Sequence, residues 1–493
     1  MDMHLPVDRS APLRPQIERE LRAAIRAGRL RGGAKLPSSR LLAEDLAVSR
    51  GVVVEVYSQL VAEGYLVARA GHGTRIAEGL ARQPPNAPAP SGSPRIRYDL
   101  RPGIPDLSFF PRRAWQTATA AAVRELPDAA LGDGPARGLR QLRDALSEYL
   151  GRVRAAVADP ERVLITSGAA HAMSILWHAL RVSGARRVAV EDPEWPAIRA
   201  TVEQAGLEVV PVWVDEQGLD VSRLEAAAVD AVVVSPAHQY ITGAVLAPGR
   251  RARLIAWARR HGTLIVEYDA DAEYRYDREP IASLQGLAPE CVAYIGSANT
   301  TLAPAMRLAW LIAPSHLVGE VAAQIEIALA VPSALAQAAY ARLLDRGEVD
   351  RHVRRARRQY QARRRALIAA LAQQLPDAAI DAAPAGLHLI AWLPEQAEEA
   401  RISDAVTRRA VAIHTLHQDA IVTSPRPPAL LLGYGLIAEP AIAPAVELLA
   451  DGVRSAVRPR PLTNPHTRWP VWPLRAQRYV SRGALPPLGS GAR

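Results

Sequence analysis

The chain has 493 residues, enough for two or three domains, and its 49% apolar and 22% charged residues are the balance of a globular protein. Its single cysteine, Cys291, excludes an internal disulfide and a Cys-based metal cluster, and fits a reducing compartment. The net charge of +10 is concentrated at the ends: residues 1–82 carry 13 Lys/Arg against 9 Asp/Glu, residues 451–493 carry 8 against 1, and the span between is close to neutral. That distribution is expected where nucleic-acid affinity lies outside the main domain.

Only Lys35 among the 60 basic residues is a lysine, so the Arg preference reads as a coding bias rather than as function. The opening MDMHLPVDRS has no apolar signal core, and no run of about 18 apolar residues follows. A soluble cytoplasmic protein without membrane contact is expected.

In chain order, Gln16–Ala27 places Ile17, Leu21, Ala24 and Ile25 on one helical face, closed by Gly28. Pro37 followed by Ser38 and Ser39 predicts a second helix with either serine as cap. Val48-Ser49-Arg50-Gly51 predicts a tight turn, with Ser49 capping a third helix to about Glu63; Gly51 weakens its start by up to ~1 kcal/mol. Gly64–Ile76 reads as a two-stranded hairpin with a Gly-rich tip. Three helices and a hairpin describe a winged helix-turn-helix.

Four pieces in order, Gly32-Gly33-Ala34-Lys35-Leu36-Pro37-Ser38-Ser39-Arg40, Leu46-Ala47-Val48-Ser49-Arg50, Glu63-Gly64-Tyr65-Leu66 and Gly71-His72-Gly73-Thr74, resemble the GntR DNA-binding domain. The resemblance implies that the helix from Ser49 enters the major groove of double-stranded DNA. Lys35, Arg40, Ser49 and Arg50 would then meet phosphates or base edges, and His72 and Gly73 would lie at the wing. A first domain over residues 1–77 is expected, followed by a Pro/Ser-rich linker over 78–98.

Beyond the linker, apolar strand-type runs (163–166, 187–190, 209–214, 231–235, 263–267, 292–296) alternate with helical patterns (138–151, 170–181, 196–205, 249–261). Such alternation predicts an α/β domain with a mainly parallel sheet. Residues 330–450, with Arg-rich helical patterns over 336–373 and strands near 386–393 and 429–433, predict a small α+β lobe. A basic Pro/Arg-rich tail, 451–493, is expected to be disordered.

Several segments of 99–450 resemble the fold-type I, pyridoxal-phosphate-dependent aminotransferase domain of MocR-type GntR regulators. They are Ile165–Ala172, with a strand–Gly–helix layout, Glu191-Asp192-Pro193-Glu194-Trp195-Pro196, Ser235–Gly243, Glu267–Tyr276 and Val292–Arg307. The resemblance implies cofactor positions at Gly168, Ala169 and Ala170 (phosphate), Trp195 (ring stacking) and Arg307 (phosphate). It also sets Tyr268 where the family has the pyridine acid, Ala270 where it has a ring-contacting Tyr, and Thr300 where it has the Schiff-base lysine. Asp269 neighbours the acid position, but consecutive strand residues face opposite ways. Pyridoxal 5'-phosphate is thus implied by resemblance only, and no covalent Schiff base is expected, since that bond needs a primary amine. No catalytic residue and no metal ligand is assigned.

The expected function is a DNA-binding transcription regulator, a homodimer whose aminotransferase-like domain dimerises and senses a small-molecule effector or noncovalent cofactor without transamination. The alternative is a pyridoxal-phosphate-dependent aminotransferase with a DNA-binding appendage. An internal aldimine discriminates the two.

Overall fold

The computed structural model describes residue 8 and residues 10–69, 73–78, 96–271, 273–277, 281–328, 331–421 and 426–456. His72 and the tail beyond 456 lie outside the described residues. The chain divides into two compact units, Met1–Arg95 and Ile96–Arg493.

The first unit holds α1 (Leu13–Arg26), α2 (Ser39–Leu46), α3 (Arg50–Ala62) and a hairpin of β1 (Leu66–Arg69) and β2 (Gly73–Ile76). α1 starts three residues before the expected Gln16, directly after Pro12 at φ −53°. Ser38 caps α2, its hydroxyl accepting from the Leu41 N–H at 3.2 Å. Ser49 holds the extended cap position of α3, but its hydroxyl accepts no N–H there, which corrects the expected capping bond. Ala47 makes the turn between α2 and α3 at φ +50°. Ile17, Leu21, Leu42, Val53, Val56 and Leu60 are fully buried between the three helices, and each contributes roughly 1.5–3 kcal/mol of burial. In the hairpin Leu66 faces Ile76 and Arg69 faces Gly73, antiparallel.

The second unit begins with β3 (Tyr98–Asp99), then α4 (Arg112–Glu125), α5 (Arg140–Arg154), β4 (Val163–Thr166), α6 (Ala169–Val182), β5 (Arg187–Asp192) and α7 (Pro196–Gln204). It continues with β6 (Glu208–Asp215), β7 (Gly218–Leu219), α8 (Val221–Glu225), β8 (Ala231–Val234), α9 (Pro248–His261), β9 (Leu264–Asp269), β10 (Val292–Ser297) and β11 (Ala309–Ile312). These strands form one sheet in the order β4-β11-β10-β9-β8-β5-β6-β7. β10, β9, β8, β5 and β6 run parallel, whereas β11 is antiparallel to both its neighbours and β7 to β6.

Strand alternation sorts the side chains. Val188, Val190 and Val266 join one core with Leu176 of α6 and Ile198 of α7, while Ala189 and Ile265 join another with Leu224 of α8 and Trp257 of α9. Helices therefore cover both faces, as a parallel sheet with apolar faces requires.

α10 (Val318–Ala328), α11 (Ala334–Asp345) and α12 (Glu348–Gln374) lead to the small lobe. The Arg-rich stretch 336–373 is thus two helices, because Gly347 at φ +64° ends one and caps the next. The lobe holds β12 (Ala379–Asp381), β13 (His388–Trp392), α13 (Glu399–Thr407), β14 (Val411–Ala412), β15 (His414–Thr415), β16 (Ala429–Gly433) and α14 (Glu439–Ala456). Its antiparallel sheet runs β12-β13-β16-β15. β3 pairs with β14, Tyr98 opposite Val411, so Tyr98, within the segment read as linker, lies in a strand. α14 likewise runs six residues past the expected end at 450.

Candidate functional site

In the first unit the residues expected to meet DNA are exposed where they are described. Ser49 and Arg50 are exposed at the N-terminus of α3, and the Ser49 hydroxyl is not used in capping. Helix N-terminal N–H groups, a free hydroxyl and a guanidinium together suit phosphate oxygens. Arg40, exposed on α2, pairs with Glu44 at 3.2 Å. Lys35, also exposed, forms a backbone bridge to Arg75, and its Cε approaches the space a Cβ on Gly73 would fill. Gly73 takes φ +80° at the start of β2, which glycine alone adopts readily. His72 cannot be placed among them.

In the second unit five loops converge at the carboxyl ends of β4, β5, β8, β9 and β10, where open α/β sheets form their sites. The loop after β4 turns through Gly168 at φ +128° into α6. Ala169 and Ala170 start that helix, so its free N–H groups point to the loop. The Ser167 N–H donates to His171 Nδ1 at 3.0 Å, and the His171 Nε2 is buried without a partner. Burial lowers the His171 pKa and the nearby Arg307 lowers it further. Arg307 sits at φ +48° after a short 3-10 turn and is exposed; its backbone N–H donates to the Pro304 carbonyl, and its guanidinium makes no hydrogen bond or ion pair among the described residues.

On β9, neighbouring residues take opposite faces. Tyr268 packs with Trp195 against Tyr240, Ile241 and Ala270. The Asp269 carboxylate accepts from Arg154 Nε and from the Tyr294 hydroxyl, both at 2.7 Å. With Arg154 and Asp269 side chains each 4% exposed, the carboxylate is committed to a buried ion pair. The Thr300 hydroxyl donates to the Ala270 carbonyl, while the Thr300 carbonyl accepts from Tyr274 at 3.1 Å. Trp195 meets Tyr240 edge-on at 5.3 Å between centroids and His414 at 6.2 Å.

Sequence reasoning missed a second set of groups in the same place. His238 Nδ1 lies 3.0 Å from Asp271, and against the upward push of burial this imidazole holds Asp271 below the usual carboxylate range. Burial, helped by His238, pushes His388 down to about 4. Glu191 and Glu194 are buried side by side, and burial holds both carboxyls well above their ordinary range. Two such groups keep a proton between them. Glu194 stands where the family motif has glycine, a signal already in the sequence. His238 was likewise visible in Ser235–Gly243, but its carboxylate partner, 33 residues away, was not. Nearby, burial pushes Glu267 up to about 7 although it accepts the Leu284 and Gln285 N–H groups.

Comparison with known proteins agrees with both units. Residues 13–76 match the family model for bacterial regulatory proteins of the gntR family, and residues 111–426 match that for aminotransferase class I and II. The chain is 33% identical over 380 residues to the HTH-type pyridoxine biosynthesis transcriptional regulator PdxR of Corynebacterium glutamicum, covering 76% of this chain and 82% of that one. It is 30% identical over 458 residues to the probable rhizopine catabolism regulatory protein MocR of Rhizobium meliloti, covering 87% and 92%. The solved kynurenine aminotransferase of Pyrococcus horikoshii superposes with a TM-score of 0.68 at 22% identity, over 74% of this chain and 92% of that one, which establishes the fold alone. No helix among the described residues is long and apolar enough to cross a membrane. A winged helix-turn-helix joined to an aminotransferase fold, with matches running through both, makes this chain a member of the gntR family of transcriptional regulators, of the MocR type.

Proposed function

We propose that this DNA-binding regulator reads its operator through Lys35, Arg40, Ser49, Arg50, Gly73 and His72, and that its aminotransferase-like domain dimerises and senses a small molecule without transamination. One observation carries the second half of this reading. From residue 36 to 493 the chain has no lysine, and at the family's lysine position Thr300 spends its hydroxyl on the Ala270 carbonyl. The ring end also departs from the family pattern: Tyr268 takes the position of the pyridine acid, and Asp269 is held by Arg154 and Tyr294. These residues do not fit a covalently held pyridoxal phosphate. A dimer would present two winged helices to paired half-sites.

The test is spectroscopic. Purified protein soaked with pyridoxal phosphate and treated with borohydride should show no aldimine band near ~420 nm, which belongs to the cofactor's own chemistry, and no adduct within residues 96–493. A mapped adduct there would return the chain to the aminotransferases with a DNA-binding appendage.

A second reading is favoured by the phosphate end. His171 Nε2 and Asn299 Oδ1 are buried without partners, and Arg307 is uncommitted. With Gly168, Ala169 and Ala170 they suit a phosphate monoester, and one relative is named a pyridoxine biosynthesis regulator. Noncovalent cofactor would then serve as effector, since sensing needs only different affinities in two states. Calorimetric titration decides it: heat without an aldimine band supports this reading, and no heat with no thermal shift removes it.

A further inference from the structure

A cleft of about 540 Å³ opens between the start of α4 and the start of α12, and none of the strand-end residues named above lines it. One wall is Ser108–Ala114, including Phe109, Phe110, Arg112 and Arg113; the other is Glu348, Arg351, His352 and Arg355. The α12 residues recur at i, i+3, i+4 and i+7, which puts them on one face of the helix. Four guanidinium groups thus line the cleft against a single carboxylate, and Glu348 is already paired with Arg351 at 2.8 Å. Arg113 and Arg355 are exposed, and their side chains have no hydrogen-bond or ion-pair partner among the described residues.

Two further features point to a ligand. Arg112 and Arg113 occupy the first turn of α4, which has no acidic residue. Positive charge there opposes the helix dipole unless an anion sits between. His352, 4% exposed, presents a buried Nδ1 to no partner, and the Thr301 carbonyl lies close enough to the ring to oppose the downward push of burial on its pKa. Thr301 follows Thr300, so this imidazole lies near the loop that carries the lysine position.

We propose that this cleft is a binding site, separate from the cofactor-type site, for a small aromatic dianion such as a dicarboxylate or an aryl phosphate. The guanidinium groups take its charges bidentately. Phe109 and Phe110 receive the ring, and His352 Nδ1 accepts from a ligand donor or takes a proton beside the anion. Concavity excludes a duplex as the occupant, because a phosphate backbone does not reach a buried imidazole. The site stands without the sensing reading; a further role as the effector's own binding site rests on that reading.

Calorimetry of the full chain with phthalate and, separately, with pyrophosphate tests the proposal. Phthalate should bind, and Arg113→Ala with Arg355→Ala should weaken it at least tenfold without moving the thermal midpoint of the free protein. Arg307→Ala should leave it unchanged. If Arg307→Ala abolishes binding and the double variant does not, the anion lies in the loop after β4 and the proposal fails. Pyrophosphate binding as tightly as phthalate overturns the aromatic part. An unchanged phthalate affinity in the double variant, with weaker operator binding, makes the cleft a DNA contact instead. Phthalate that binds but leaves operator affinity unaltered refutes the cleft as an effector site and upholds it as a binding site.

Discussion

Arg154→Ala is the sharpest test of what Asp269 does. The Arg154 and Asp269 side chains are each 4% exposed and meet at 2.7 Å, and Tyr294 adds a second donor at the same distance. Arg154 also donates to the Ile281 carbonyl at 2.9 Å. Removing the guanidinium leaves a buried carboxylate with one neutral donor, in a region that already contains Glu267 and Glu273, both raised by burial. Breaking a buried pair by deleting one partner costs about 3–5 kcal/mol. Asp269→Asn keeps an acceptor for both donors and should cost less, about 1–3 kcal/mol. The double variant should fall short of the sum by about 1–3 kcal/mol, because the partners are in direct contact. Urea unfolding followed by fluorescence and circular dichroism, at constant slope, measures all three. A loss below ~1 kcal/mol for Arg154→Ala would mean that the pair is not a structural bond, and Asp269 would again be available to a pyridine nitrogen.

Other outcomes follow from the same geometry. Arg50→Ala should weaken operator binding and reduce the slope of log affinity against log salt by about one if it neutralises a phosphate; a protein that prefers its operator no more than random duplex would refute the DNA reading. Stability should fall as pH rises from the unfolded carboxyl value of about 4.3 through about 7 and about 8, the folded values for Glu267 and for Glu191 beside Glu194. The sign follows because raised folded pKa values make the native state bind more protons, so the stability they add is complete at low pH and lost on deprotonation. Glu194→Gln, which supplies a permanent N–H toward Glu191, should flatten that fall in pH-dependent melting. Gly386→Ala should destabilise by roughly 2–4 kcal/mol, since it sits at φ +76° with its Cβ site 2.3 Å from His238; an unchanged midpoint would mean that this contact relaxes freely.

The small unit was legible because its signals are local. Ser38 before Arg40-Leu41-Leu42 and the glycines of the hairpin mark boundaries within a few residues, and the buried stripe of α1 is the one read from spacing. Ser49 shows the limit: a cap residue in the right place need not make the capping bond. β11 was not foreseen, because four apolar residues look alike whether they run with or against their neighbours. Gly347 divides a helical pattern that periodicity alone leaves continuous.

Composition by itself determined the main chemical constraint: a 398-residue unit from Ile96 to Arg493 without a lysine contains no side chain able to form an aldimine, however it folds. Motif order likewise determined the pairing of a DNA reader with an aminotransferase fold. Only the tertiary structure decided which way Asp269 turns, that Tyr268 lies with Trp195, and that His352 lines an arginine-rich cleft. The physical reason is distance along the chain. Arg154 and Asp269 are 115 residues apart, and no local preference encodes a bond that exists only once the sheet and its helices have closed around it.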